Sequence, residues 1–304
     1  MLKAFIFPGQ GSQYIGMGKK LYENKTYAKQ IYHQASDILE YNLQDVSFNG
    51  PDSVLKETRY TQPALFVYSI ILDKIIKNND IKADAVAGHS LGEFSAICSA
   101  ESISFKDALT IVKHRSIEMD KASKSTSGSM AAIIGADEEK INHICNQNGI
   151  VVPANFNSYD QVVISGEINA IEDSIITAKK LGVKRAIKLN VAGAFHSPLM
   201  SPAKEKLTEI INSINFNNPK IPIYQNISGN PFTDKQIIKQ NLIDQIDSPI
   251  LWYQTINKFK EDGYELFYEV GPGKVLNGLN RRIYPSAKTI NCESLEDSNI
   301  YETL

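Results

Sequence analysis

The stretch Val86–Phe94, with the sequence VAGHSLGEF, restricts the fold of this chain more than any other feature. Ser90 lies between Gly88 and Gly92, after an apolar run and before a helical one. Glycine costs backbone entropy unless a turn requires it. The pattern therefore predicts a buried strand that passes through a sharp turn into a helix and exposes the Ser90 hydroxyl. A plain serine cap on a helix is the alternative interpretation.

Segments on both sides of this junction alternate between strand and helix patterns. An apolar run before Pro8 indicates a buried strand, and apolar residues recur at helical spacing from Leu65 to Ile76. Strands that alternate with helices are typical of a parallel sheet covered on both faces. We therefore predict an α/β fold, with a large α/β-hydrolase-like domain formed by residues 1–124 and 190–304.

The composition of the sequence becomes more polar at about Ser125. A polar stretch, STSGS, indicates a flexible connector. The residues after it follow the order strand, helix, strand, strand, helix, strand, which is typical of a ferredoxin-like unit. We predict that residues 125–189 form a small domain inserted into the large one.

Composition excludes several classes of protein. The chain has 304 residues, 42% of them hydrophobic and 22% charged, and a formal net charge of −2, so neither disorder nor nucleic-acid binding is indicated. Three isolated cysteines, Cys98, Cys145 and Cys292, argue against disulfides and against a zinc site. The first apolar run is too short for a signal sequence or a membrane span. We expect a cytoplasmic protein without a metal or a membrane partner.

A serine nucleophile needs a base, and His196 is the best candidate by sequence. It lies in NVAGAFHSPLM, just past a predicted strand, in a loop of small residues where no periodicity requires a ring. A capping or core role for His196 is the alternative. His89 adjoins Ser90, so its ring is predicted to point elsewhere. No carboxylate follows in the order that hydrolases use, which favours a Ser–His dyad whose imidazole is oriented by a main-chain carbonyl.

Arg115 lies on an apolar stripe of a predicted helix. Ala108, Val112, Arg115 and Met119 are spaced by four, three and four residues, so the guanidinium is expected to face the interior. A buried guanidinium needs an anion. The partner is either an internal carboxylate, which would make the arginine structural, or the carboxylate of a substrate bound by two parallel hydrogen bonds.

These features together resemble a known family. The following motifs occur in the order found in malonyl-CoA:acyl carrier protein transacylases and in the related acyltransferase domains of polyketide synthases: FPGQGSQ, YTQPAL, AGHSLGEFSA, KHRSIEM, NFNSYDQVVISG, GAFHSPLM, SPILW and EVGPGKVL. The resemblance runs from about Phe5 to Ile283. It implies transfer of a malonyl group from malonyl-CoA to the phosphopantetheine thiol of an acyl carrier protein through a malonyl-serine intermediate, with no cofactor in the chain itself.

The resemblance also implies roles for individual residues. Ser90 would be the nucleophile, His196 its base and acid, and Arg115 the ligand of the malonyl carboxylate. The main chain would supply the oxyanion hole, from the amides of Gln10 and Leu91, and the carbonyl of Leu251 would orient the histidine. The pocket would be completed by the side chains of Gln62, Phe195, Asn155 and Asn157, and Phe195 is expected to disfavour an α-methyl branch.

Carrier proteins of this kind are acidic, so a locally basic docking face is expected. The candidate residues are Lys184, Arg185, Lys188, Arg281 and Arg282, and a merely solvated surface is the alternative. Two other functions stay open, a serine acyl hydrolase that passes the acyl group to water and an inactive docking protein. The pathway, fatty acid or polyketide synthesis, is also left open, and we expect a monomer.

Overall fold

The structure is a computed structural model that describes residues 1–293. Its strands are β1 (Leu2–Phe7), β2 (Ala85–Gly88), β3 (Gly128–Ile134), β4 (Val151–Ser158), β5 (Gln161–Glu167), β6 (Arg185–Lys188), β7 (Ile223–Tyr224), β8 (Pro231–Phe232), β9 (Tyr264–Glu269) and β10 (Lys288–Asn291). Its helices are α1 (Lys19–Asn24), α2 (Thr26–Leu39), α3 (Leu43–Asn49), α4 (Asp52–Leu55), α5 (Thr58–Asn78), α6 (Gly92–Ser99), α7 (Phe105–Ser125), α8 (Glu138–Cys145), α9 (Ile168–Lys180), α10 (Ser201–Ser213), α11 (Lys235–Asp244), α12 (Trp252–Glu261) and α13 (Val275–Ile283). Within residues 1–293, none of the helices has the length and hydropathy needed to span a bilayer.

Six strands form the large sheet, in the order β10-β9-β1-β2-β7-β8. All neighbouring pairs are parallel except β7 and β8. Side chains of β1 alternate between two cores: Phe5 and Phe7 pack with α5 and α7, and Ala4 and Ile6 pack with α12 and α13. A parallel sheet buried on both faces explains why the strand is a continuous apolar run, and the predicted α/β class is confirmed.

Three loops meet at the carboxyl edge of this sheet. Phe7 pairs with Gly88, so β1 and β2 end at the same level, and the His89 amide donates to the Phe7 carbonyl at 2.9 Å. Tyr224 pairs with Ala87 on the other side of β2, which brings the residues after β7 to the same edge. Ligand sites of parallel sheets form at this edge, outside the carboxyl ends of the strands.

The second sheet is antiparallel and has the order β4-β5-β3-β6. Together with α8 and α9 it follows the predicted ferredoxin-like sequence of elements, and its strands lie within residues 128–188. The predicted connector differs in length, because α7 continues through Ser125. The Ser123 and Ser125 hydroxyls donate to carbonyls of Met119 and Ala122 in the preceding turn, so these serines are accommodated inside a helix.

Alternation along these strands gives the small sheet two different faces. Ala131 and Ile133 of β3 pack in the core with α8 and α9. Met130 and Ala132, which point the other way, line a cavity between the small sheet and the large domain. The main chain of β4 also joins the large domain, since the Phe156 amide donates to the Ile250 carbonyl at 2.9 Å.

Candidate active site

The turn that carries Ser90 depends on the two glycines beside it. A side chain at Gly88 would collide with the backbone of Gly92, and one at Gly92 would collide with the backbone of Phe7. Ser90 itself has a φ of 52°, in the left-handed region that is unfavourable for a residue with a side chain. The predicted sharp turn between strand and helix is therefore confirmed, with Ser90 between β2 and α6.

Side chains from distant parts of the sequence fix the backbone of Ser90. The Ser90 amide donates to Oδ1 of Asn226 at 2.7 Å, and Nε2 of Gln245 donates to the Ser90 carbonyl at 3.0 Å. Asn226 also donates from Nδ2 to the carbonyl of Gly88 at 2.6 Å. A strained residue persists only where its surroundings over-determine it, and these bonds do so here.

Ser90 and His196 form the predicted pair. Oγ of Ser90 lies 2.7 Å from Nε2 of His196, and Nδ1 of His196 lies 3.0 Å from the carbonyl oxygen of Gln245. Since a carbonyl can only accept, Nδ1 carries the proton and Nε2 is free to accept the Ser90 proton. Burial, and then the charge of Arg115, lower the pKa of His196 to about 3, so the imidazole is neutral at physiological pH.

The prediction that the Leu251 carbonyl orients the histidine is wrong. That carbonyl accepts from the amide and the hydroxyl of Thr255, both at 2.9 Å, in the first turn of α12. The Gln245 carbonyl, just after α11, binds His196 instead. The general expectation, a dyad oriented by a main-chain oxygen, agrees with this geometry, but the residue is a different one.

Arg115 is buried beside the nucleophile and donates hydrogen bonds to three neutral side chains. Nη1 donates to Oε1 of Gln62 at 2.8 Å, while Nη2 donates to Oγ of Ser90 at 3.0 Å and to Oε1 of Gln245 at 3.1 Å. Within residues 1–293, no carboxylate lies within the 4.0 Å of an ion pair, and Nε has no partner. Burial lowers the Arg115 pKa to about 9, opposed by the charge of Glu93, so the guanidinium remains a cation.

The amides predicted to bind an oxyanion lie on adjacent loops. Gln10 follows β1 and Leu91 follows Ser90, and both residues line the cavity next to Ser90. In the described part of the chain, neither amide donates to a protein acceptor. Leu91 also immediately precedes α6, so its N–H belongs to the positive end of that helix. Two unpaired N–H groups therefore lie where negative charge on an acyl oxygen could be stabilised.

The remaining predicted pocket residues line a cavity of about 260 Å³. Gln62 and Phe195 line it, and Gln62 also donates to Sδ of Met119 at 3.6 Å. Asn155 and Asn157 reach it from β4, but Oδ1 of Asn157 is bonded to Nε2 of His89 at 2.9 Å. The His89 ring therefore bonds to Asn157 and not to Ser90, in agreement with the prediction that it points elsewhere. Among residues 1–293, no group of three His, Cys, Asp or Glu side chains is placed to bind a metal ion.

The predicted docking residues divide between two elements at opposite edges of the small sheet. Arg185 of β6 pairs with Ile134 and therefore shares the cavity-side face, and Lys184 just before it is exposed. Lys188 pairs with Ala131, faces the other way and forms an ion pair with Glu172. On α13, Arg281 and Arg282 are exposed, and Nη1 of Arg282 donates to Gln161 at the cavity edge, at 3.0 Å. The structure does not bring Lys188 together with the others.

Three buried polar residues of the site were not predicted from the sequence. Gln245 and Asn226 come from loops far from Ser90 in the chain, and Glu93 lies only three residues after it. A signal existed for Asn226, because it comes shortly after the largely apolar stretch IPIY of residues 221–224, whose end forms β7. A signal also existed for Glu93, which is a charge in an otherwise apolar helix start. Gln245 gave none, since it lies in ordinary polar helical sequence.

Comparisons with known proteins agree with this geometry. A family model described as acyl transferase domain matches residues 4–295. The malonyl CoA-acyl carrier protein transacylase of Bacillus subtilis is 42% identical over 291 residues, which cover 94% of this chain and 92% of that one.

Two solved structures are similar over nearly their whole length. An acyl-carrier-protein-S-malonyltransferase from Bartonella henselae has a TM-score of 0.94 at 37% identity, with 99% of this chain and 98% of that chain covered. A malonyl-transacylase in complex with a type II PKS acyl-carrier protein has a TM-score of 0.93 at 36% identity, with 100% and 98% covered. The chain therefore belongs to the acyl transferase domain family and, within it, to the malonyl CoA-acyl carrier protein transacylases.

Proposed function

We propose that this protein transfers a malonyl group from malonyl-CoA to the phosphopantetheine thiol of an acyl carrier protein, with Ser90 as the covalent carrier. The observation that carries this proposal is the position of Arg115. Its guanidinium lies against Oγ of Ser90 and, among residues 1–293, is bonded only to neutral groups, so the cation is available to a carboxylate on the acyl chain. A nucleophile beside an uncompensated cation fits a dicarboxylic acyl group.

The first half of the reaction loads Ser90. His196 accepts the Ser90 proton at Nε2 while Oγ attacks the thioester carbonyl, and the Gln245 carbonyl stabilises the imidazolium through Nδ1–H. The amides of Gln10 and Leu91 bind the tetrahedral oxyanion, and each such donor contributes about 100- to 1000-fold to the rate. The thiolate of CoA then leaves with a proton from His196, and the malonyl-serine ester remains.

The second half repeats these steps in reverse with a different thiol. The phosphopantetheine thiol enters the same cavity, His196 removes its proton, and the sulfur attacks the ester carbonyl. When the tetrahedral intermediate collapses, Ser90 recovers its proton from His196 and the malonyl thioester of the carrier is released. Because loading and transfer use one site, the kinetics are of the ping-pong type.

Arg115 selects the acyl group by its charge. A malonyl carboxylate replaces neutral partners of the guanidinium with a charge-assisted pair, whereas an acetyl group leaves the buried cation without an anion. Phe195 is 7% exposed and lines the cavity, where its ring would crowd a branch at the α carbon. One methyl group changes selectivity by only about 1 to 3 kcal/mol, so we expect a preference over methylmalonyl and not exclusion.

The acceptor is an acidic carrier protein that docks at the mouth of the cavity. Arg185 of β6 shares the cavity-side face of the small sheet, and Arg282 donates to Gln161 at the cavity edge, with Arg281 beside it on α13. All three arginines are exposed. The site places no constraint on which carrier is used, so either fatty acid or polyketide synthesis is compatible with it. We further propose a monomer that acts in the cytoplasm.

Mass spectrometry of the intact protein tests this function. After incubation with malonyl-CoA, we expect a malonyl adduct on Ser90 that discharges when phosphopantetheinylated carrier protein is added. A Ser90→Ala variant should form no adduct, whereas Ser95→Ala on the next helix should form it normally. Release of free malonate at a rate that the carrier does not change would support the serine hydrolase instead. Absence of any adduct would support an inactive docking protein.

A further inference from the structure

Glu93 is a buried carboxylate under the Ser90 turn that takes no part in the steps above. Its side chain is completely buried and accepts from Nε2 of Gln225 at 2.9 Å, the amide of Asn226 at 3.1 Å and Nε2 of Gln245 at 3.0 Å. Within residues 1–293, no lysine or arginine forms an ion pair with it. Burial raises its pKa to about 7. Burying a carboxylate without a cation costs several kcal/mol, so its position calls for an explanation.

Gln245 links this carboxylate to Arg115. Nε2 of Gln245 donates to Glu93 and to the carbonyl of Ser90, both at 3.0 Å, and Oε1 accepts from Nη2 of Arg115 at 3.1 Å. The Ser90 carbonyl and the ionised Glu93 carboxylate can only accept, which leaves the amide one orientation. In that orientation its oxygen faces the guanidinium.

We propose that Glu93 is a positioning residue for malonyl selection, because its carboxylate fixes the Gln245 amide and thereby aims Arg115 at the substrate carboxylate. The inference rests on the proposed malonyl transfer. A second link runs to Ser90, since the Asn226 amide donates to Glu93 and the Asn226 side chain accepts from the Ser90 amide. Glu93 therefore acts on the guanidinium and the nucleophile without a side-chain hydrogen bond to either.

Asp73 provides the matched comparison. It is also a buried carboxylate, but it lies on α5 eleven residues after Gln62, where it pairs with Lys77 at 2.8 Å and accepts from the Ser99 hydroxyl at 2.7 Å. Neither Asp73 nor these two partners line the cavity. A change at Asp73 should lower stability alone, whereas a change at Glu93 should also alter acyl selection.

The test compares Glu93→Gln with Asp73→Asn. A glutamine at position 93 has one acceptor oxygen for three donors, and its own NH₂ faces a donor, so the Gln245 amide loses its fixed orientation. We expect kcat/KM for malonyl-CoA to fall about tenfold, and the preference for malonyl over acetyl to fall with it. Asp73→Asn should lower Tm and leave that preference unchanged. The malonyl adduct on wild-type Ser90 is measured separately, so a failure here does not count against malonyl transfer.

A double-mutant cycle tests whether Glu93 acts through Gln245. In a Gln245→Met background, Glu93→Gln should have much less effect on acyl preference than in the wild type. Equal losses in both backgrounds, or a Glu93→Gln variant that keeps the wild-type preference and only loses Tm, would overturn the proposal. If Glu93→Gln does not fold, Gln245→Met alone must lower the preference, and a wild-type preference in that variant overturns it equally.

Discussion

The two sides of the cavity are built in different ways. The floor, formed by Ser90, Arg115 and His196 and supported by Asn226 and Gln245, is a set of polar groups joined by hydrogen bonds of 2.7 to 3.5 Å. The wall, formed by Met130, Ala132 and Val163 of the small sheet with Leu189 after β6, is apolar. The wall contributes volume and contact area, while the groups proposed to move the proton and to bind the malonyl carboxylate, His196 and Arg115, belong to the floor.

This difference follows from what each side has to do. Ser90 and His196 both have positive φ, 52° and 57°, and such strain is tolerated only where neighbours hold the backbone firmly. Charge that develops in a transition state is stabilised by dipoles that are already oriented. Apolar contacts lack direction, so a wall can change shape at little cost. Changes in the floor should therefore alter rate and selection by large factors, and changes around the wall by small ones.

The largest effect is expected from Arg115→Ala. Loss of the guanidinium removes the partner of the malonyl carboxylate, so kcat/KM for malonyl-CoA should fall about 100-fold, while acetyl-CoA becomes relatively better accepted. Competition between the two thioesters for Ser90, followed by mass spectrometry, measures this directly. Arg59→Ala, at an exposed arginine bonded to Glu57, is the control. An unchanged malonyl preference would show that Arg115 has no part in selection.

The floor was predictable from sequence only where one residue carries its own signal. Ser90 is marked by its glycines, Arg115 by its place on an apolar stripe, and His196 by a loop where no periodicity requires a ring. The oxygen that orients His196 has no such mark, because every residue has a carbonyl. The resemblance to the transacylase family implies Leu251, and only the fold shows that Gln245 supplies this oxygen.

The fold was predictable to a greater extent than the contacts within it. Alternating strand and helix patterns report on burial, which extends over many residues, so both sheets were anticipated. The length of the connector was not predicted correctly, because the serine-rich end of α7 has the composition of a loop. In the structure its hydroxyls donate to carbonyls of the preceding turn, and the segment is helical.

The second-largest effect is expected on the pKa of His196. Burial and the Arg115 charge lower its pKa to about 3, so the imidazole should remain neutral down to about pH 5. Arg115→Ala removes a cation that opposes the imidazolium, so the pKa should rise, by about one unit or more. NMR of histidine-labelled protein measures this, with the exposed His33 as a reference signal. Titration of wild-type His196 near its ordinary value of 6.5 would contradict the buried, cation-facing geometry.

The smallest effect is expected from the exposed arginines near the cavity edge, Arg185 and Arg281, which we call the rim. Exposed charge pairs are each worth about 0.2 to 1 kcal/mol, so Arg185→Glu combined with Arg281→Glu should raise the KM for an acidic carrier protein by about 2- to 30-fold. The rate of malonyl-serine formation should change less, because the floor is untouched. Lys206→Glu, at an exposed site on α10, changes the net charge without altering the rim and should leave the KM unchanged. Since added salt screens such contacts, the difference should shrink as ionic strength rises. A carrier KM that responds equally to Lys206→Glu would mean that net charge governs the encounter, and the rim would lose its role as a docking surface.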